Sequence, residues 1–156
     1  MAATLGSEDW AFWDSWTRAQ RLLARALDRG LQRDFGISKA EFSVLVTLWR
    51  APGHRMRVGE LSASLAWEKS RVSHLHTRME GRGFVAGVKG AASGRRTGIG
   101  LTGDGRRVVR DAIAGHGGNI RRHFLDPLTP DQAAALRAWS EQTIDHLDPP
   151  DGAPPG

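Results

Sequence analysis

The chain contains no cysteine and no tyrosine, and no apolar run approaches the ~18 residues of a membrane-spanning helix. Without cysteine there are no disulfide frameworks, thiolate metal sites or thiol-based redox sensing. Without a long apolar run nothing spans a bilayer, and the acidic start, Glu8 and Asp9, lacks the basic and apolar regions of a signal peptide. A cytoplasmic protein with no membrane contact is expected. Enzyme signatures are missing too: there is no GxSxG, no phosphate-binding loop and no HExxH. The acids are scattered at helix starts and along polar faces, where they cap and solubilise, so neither catalysis nor a cofactor is expected. His116 and His123 stand seven apart on one side of a helix and invite a metal ion. The carboxylate at helical spacing, Asp126, sits beside Pro127 where that helix should end, so no metal site is expected either.

Charge is present but uneven. Residues 54–110 hold twelve Lys or Arg against four acids, a surplus of eight positive charges, whereas the remainder holds ten against thirteen. The overall charge of +5 therefore hides a basic middle between mildly acidic ends. Such asymmetry suits a polyanionic partner for the middle alone, the alternative being a solvated basic face.

Periodicity orders the chain. After a frayed start, Ser7 with Glu8 and Asp9 can cap a helix in which Trp10, Trp13, Trp16, Ala19, Leu22, Leu23, Ala26 and Leu27 recur at mostly three- and four-residue steps. Gly30 weakens it and Gly36 ends it. Ser38 caps a second helix, with Phe42, Leu45, Val46 and Trp49 on one face, which Pro52-Gly53 stops. Val58 to Leu65 forms a short helix, and Glu68 to Gly81 another, with Val72, Leu75 and Met79 inward and Gly83 placed to leave it with positive φ. From Phe84 the period changes: Phe84-Val85 and Ile99–Leu101 suit two short strands joined by a Gly-rich tip, residues 90–98. Thr102 and Asp104 start a further long helix, with a kink or break expected at Gly115, Gly117 and Gly118. A last helix runs from Pro130 through Trp139 and Ile144 to Leu147. Residues 1–7 and 148–156 are expected to be disordered.

A helix that reads DNA must offer one apolar face to its domain and one short polar and basic face to the major groove. Opposite Val72, Leu75 and Met79 stand Lys69, Ser70, Arg71, Ser73, His74, Thr77 and Arg78. Arg can pair bidentately with guanine, Ser and Thr let the backbone approach, and the helix N-terminus favours a phosphate unless Glu68 opposes it or caps the helix. By periodicity alone, a merely amphipathic surface helix fits as well. A Gly-flanked hairpin bearing Lys89, Arg95 and Arg96 suits the negative minor groove, or a solvated turn. The order decides: helix, turn, helix, basic hairpin and a further helix within about 50 residues describes a winged helix-turn-helix. The expected fold is mainly α with a small β-hairpin wing: 38–102 form the DNA-binding domain, and 8–35 with 103–147 the helical dimerisation region.

The span Val58 to Thr102, above all WEKSRVSHLHTRMEGRGFV and the Leu-Thr pair before Gly103, resembles the multiple-antibiotic-resistance regulator (MarR) family of transcription factors. The likeness extends over nearly the whole chain, since that family also has two helices before the helix-turn-helix and two after. It implies a homodimer whose first and last two helices interlock, each subunit placing one recognition helix and one wing on a palindromic operator. Arg95 corresponds to the wing-tip Arg. Ser93 stands where the family usually has an Asp that steadies the wing, and Gly87 where relatives carry a basic residue. Leu75-His76 replaces a polar residue followed by Leu, which sets His76 against the core as a satisfied, partly buried histidine rather than a pH sensor. The resemblance also implies an aromatic pocket between the dimerisation helices and the DNA-binding lobe, with Trp16, Trp49 and His54 as candidates. Core and dimer packing is the other role open to the six tryptophans. Trp67 is expected to pack against the neighbouring helix or the DNA backbone.

The expected function is a sequence-specific transcriptional regulator, a repressor, binding double-stranded DNA as a homodimer and released by a small aromatic or lipophilic effector. A sequence-indifferent nucleic-acid binder shares the same charge. A winged-helix protein-interaction module shares the same fold.

Overall fold

Local chemistry sets the limits of each helix in the computed structural model, which describes residues 4–89 and 96–148. Helix α1 spans Ser7–Phe35 and ends on Gly36, whose φ of 66° is left-handed and whose N–H donates to the Gln32 carbonyl at 3.0 Å. A side chain there meets the Cβ penalty that glycine avoids, so Gly36→Ala is expected to cost about 1 kcal/mol, seen as a lower urea midpoint with an unchanged slope. Ser7 is the first helical residue rather than the cap. Gly6 takes that place, its N–H donating to the Asp9 carboxylate at 3.2 Å. The first three residues and the last eight of the expected tails lie outside the described residues.

Helix α2, Lys39–Arg50, starts at Ser38 as expected. The Ser38 hydroxyl accepts from the Glu41 N–H at 3.1 Å while the Glu41 carboxylate accepts from the Ser38 N–H at 2.8 Å, a reciprocal cap. A single turn at Pro52–His54 leads to strand β1, Arg55–Arg57, then α3, Val58–Leu65, and α4, Lys69–Gly81. Helix α4 leaves through Gly83, φ 77°: the Gly83 N–H donates to the Glu80 carbonyl at 3.0 Å and the Phe84 N–H to Met79 at 3.1 Å. This paired closure satisfies the orphan carbonyls of the last turn. Strands β2, Val85–Lys89, and β3, Arg96–Leu101, are longer than the sequence periodicity suggests. The sheet is antiparallel with order β1-β3-β2. Strand β1 escapes sequence analysis because three residues, two of them arginine, carry no readable alternation.

Two compact units make up the chain, Met1–Asn119 and Ile120–Gly156. The core of the first gathers Leu31, Ile37, Leu45, Leu48, Leu61, Val72, Met79, Val85, Ile99 and Val109 from α1, α2, α3, α4, the sheet and α5. Helix α5, Gly103–Ile120, begins at Thr102, whose hydroxyl accepts from the Gly105 N–H at 3.0 Å. It passes through Gly115, Gly117 and Gly118 without the expected break. Gly115 answers to packing instead: the Phe35 ring occupies the space a Cβ would need. In the second unit Arg121–Leu125 forms a π turn, closed by the Asp126 N–H on the Arg121 carbonyl at 2.8 Å. Helix α6, Pro130–Leu147, follows with Thr129 as its cap and Gln132 completing the box.

Much of the apolar arc of α1 faces solvent. Trp10, Phe12, Trp13 and Leu22 are exposed, and burial begins only at Leu27. Helix α6, described by itself, buries no residue, and Trp139, Ile144 and Leu147 are exposed on it. Trp139 is thus not the core residue its spacing suggests. No helix among the described residues is long and apolar enough to cross a membrane.

Candidate nucleic-acid interface

Helix α4 separates its two faces as its spacing requires. Val72 and Met79 are buried and Leu75 half-buried, while Lys69, Ser70, Arg71, Ser73, His74, Thr77 and Arg78 are all exposed. Glu68 occupies the N-cap position, but its side chain caps nothing, so the first-turn N–H groups stay open to an incoming anion. Thr77 donates its hydroxyl proton back to the Ser73 carbonyl at 3.1 Å, which leaves it as an acceptor.

Two arrangements hold this face in place. The Arg71 guanidinium lies 3.9 Å from the Trp67 ring centroid, and Trp67 itself packs half-buried against the core, its carbonyl accepting from the Ser62 hydroxyl. This cation–π contact restricts Arg71 before any ligand arrives. At the other end of the helix stands Glu41, fully buried on α2. Arg82 donates to its Oε1 at 2.7 Å and to the Gly36 carbonyl, and Arg78 Nε lies 3.8 Å from the same Oε1. Burial, the largest influence, pushes the Glu41 carboxyl upward. The Ser38 N–H and the Arg82 and Arg78 guanidinium groups outweigh it and hold the group below its ordinary value. Sequence analysis gave Glu41 and Arg82 no role. A cap box marks Glu41 locally, but nothing in the sequence points to a partner 41 residues away.

The wing is described at its base. β2 pairs with β3 through a register irregularity at Val88/Lys89, Lys89 is exposed opposite Arg96, and the Gly87 N–H reaches Glu80 Oε1 at 3.4 Å. Arg96 opens β3. Arg95 and Ser93 lie outside the described residues.

The aromatic candidates divide. Trp49 and His54 stack, with ring centroids 4.8 Å apart and planes 12° from parallel. His54 Nδ1 lies 2.8 Å from the Trp49 carbonyl. A carbonyl can only accept, so Nδ1 carries the proton and Nε2 is left as an acceptor. His54 adopts a left-handed φ of 54°, a strained conformation for a residue with a Cβ. With Gly103, Arg106, Arg107 and Arg110 the pair lines a pocket of about 340 Å3. Trp16 is not in its wall and packs instead on Trp13, centroids 5.3 Å apart. His76 is half-buried as expected but not satisfied, since its Nε2 has no hydrogen-bond partner. Buried His116, edge-on to Phe42 at 4.9 Å, has an unpartnered Nδ1, and burial together with Lys39 lowers its pKa.

Neither a protein-family model nor a curated protein sequence matches the chain. Solved structures do. The regulator Sco3205 of Streptomyces coelicolor, a MarR family protein solved in complex with DNA, is 32% identical, with a TM-score of 0.84 over 98% of this chain and 95% of its own. AbsC, a MarR family transcriptional regulator of the same organism, is 30% identical, with a TM-score of 0.81 over 94% of this chain and 98% of its own. A MarR mutant of E. coli complexed with operator DNA shares the fold at 19% identity, TM-score 0.75, over 91% of this chain and 99% of its own. With relatives matched at this identity over almost their entire length, the chain belongs to the MarR family of transcriptional regulators.

Proposed function

We propose that the protein is a homodimeric repressor that reads a palindromic operator with α4 and leaves it when a small aromatic effector binds. The observation that carries this reading is the exposed arc from Lys69 to Arg78, fixed at one end by Trp67 and at the other by Glu41. Ser70, Ser73, His74 and Thr77 meet base edges, Lys69, Arg71 and Arg78 supply phosphate or guanine contacts, and Lys89, Arg95 and Arg96 supply the wing's. Residues 38–102 form the DNA-reading domain. The exposed apolar arcs of α1 and α6, within 8–35 and 103–147, meet a second copy, since so much exposed apolar surface marks an interaction site. The DNA in the Sco3205 structure supports the same reading.

The effector site is the Trp49–His54 pocket. A stacked indole–imidazole pair with three arginines beside it suits a planar ring bearing an acid group, and the volume of about 340 Å3 admits one such molecule.

Selection of duplexes from a random pool, followed by titration of the recovered site against scrambled DNA at fixed salt, tests the reading. A preferred inverted repeat is expected. His74→Ala should relax preference at one position per half-site by about 1–3 kcal/mol. Equal affinity for random and genomic upstream fragments would instead mean a sequence-indifferent binder. Absence of duplex binding at low salt would mean a protein-interaction module.

A further inference from the structure

Strand β1 lies at the sheet edge, paired on one side only, and its residues Arg55 and Arg57 stand opposite Gly100 and Gly98 of β3. Alternation along the strand sends both arginines to one face, where the neighbouring strand raises no side chain beside them. Between β1, the end of α2, α3 and the base of the wing this leaves a groove of about 1000 Å3. Arg50 enters it from α2 and Lys89 from β2, so four cations line it. Its one acid, Glu60, already accepts from the Arg57 backbone N–H at 2.8 Å. All four cations are exposed, and none makes an ion pair among the described residues. Gathered positive charge without counter-charge raises the local potential and draws in anions.

The groove is open to solvent and its cations are strung along it, not converged on a point. A small effector needs a site that closes over most of its surface. An extended polyanion needs a track of cations. We infer that this groove is a second phosphate-binding surface, in which Arg50, Arg55, Arg57 and Lys89 hold the duplex backbone outside the base-reading arc of α4. The inference rests on the DNA-binding reading above. It adds α2 and β1 to the interface and assigns them affinity without sequence preference, since phosphates carry no base identity.

Salt dependence tests it, because each phosphate neutralised contributes about 0.9 to the slope of log K against log salt. The full chain and its R55Q/R57Q variant are titrated with the selected duplex and with a scrambled one from 50 to 200 mM salt, with melting curves to verify that the variant is folded. The variant's slope is expected to be shallower by about 2, so that it loses about tenfold less affinity than the parent over that fourfold rise. The ratio of selected to scrambled affinity should not change. R50Q alone should lower the slope by about 1. A parent that binds while the variants keep its slope overturns the groove and leaves the DNA reading intact. A changed sequence ratio also overturns it, since the arginines would then be reading bases. A parent that binds neither duplex overturns both.

Discussion

Arg82→Ala lowers stability at pH 7 by about 3 kcal/mol, because it strands a buried carboxylate. Glu41 has no exposed surface, and the variant leaves it only the Ser38 N–H and an Arg78 guanidinium 3.8 Å away. Arg82 is itself about one-third exposed, at 34%, which places the cost at the low end for a broken buried pair. Calorimetry should show a melting temperature lower by roughly 10 °C. The pH dependence has a definite sign. Burial is the largest influence on Glu41 and raises its pKa, yet Ser38, Arg82 and Arg78 together bring it below the ordinary value. Its stabilisation is therefore complete above the unfolded pKa, about 4.3, and is lost as pH falls through the lower folded value. In the variant burial dominates, so protonation relieves the strain and the gap between parent and variant narrows below about pH 4. Glu41→Gln in the same background should recover much of the loss. A variant within about 0.5 kcal/mol of the parent at pH 7 would show that Glu41 does not depend on Arg82.

That pair also bears on DNA reading. Arg82 joins the C-terminal end of α4 to the Gly36 carbonyl that follows α1 and to the first turn of α2. The exposed arc of α4 is thereby braced against the helices that set its angle, and Arg78, within reach of both Glu41 and solvent, is placed without being fully committed. Trp67 does the corresponding work for Arg71 at the other end. Fixing side chains before binding lowers the ordering cost of recognition.

What was legible in the sequence follows one rule: patterns that repeat within a few residues can be read, and contacts between distant segments cannot. The inward face of α4, the Ser38 cap, the positive φ at Gly83 and the start at Pro130 all arise from local geometry and appear where spacing places them. Strand β1 is too short and too charged to alternate. The glycines of α5 look like breaks because propensity counts only the chain, whereas Phe35 makes Gly115 a packing requirement. His76 lands half-buried as its place in the helix suggests, but whether Nε2 finds a partner depends on neighbours no spacing reveals. The Glu41–Arg82 pair is the extreme case, and it is also the contact on which the recognition helix most depends.

Trp13→Glu should turn the proposed dimer into a folded monomer and weaken binding to the inverted repeat by about 10²–10⁴-fold. That is the avidity two linked half-site contacts provide. Trp13 is half exposed in the single chain, and its contact there is with Trp16 of the same helix, so a carboxylate at this position remains in water while the subunit is alone. In a dimer closed over the α1 arc the same carboxylate would be stripped of water without a partner, at a cost of several kcal/mol. The asymmetry separates loss of assembly from loss of fold. Circular dichroism and the melting curve should stay close to the parent's, while sedimentation shows half the mass. Binding to an isolated half-site should fall far less than binding to the full repeat, because the α4 arc is untouched. A Trp13→Glu protein that sediments as a dimer at micromolar concentration and binds the repeat like its parent would remove α1 from the interface and leave α6 to supply it.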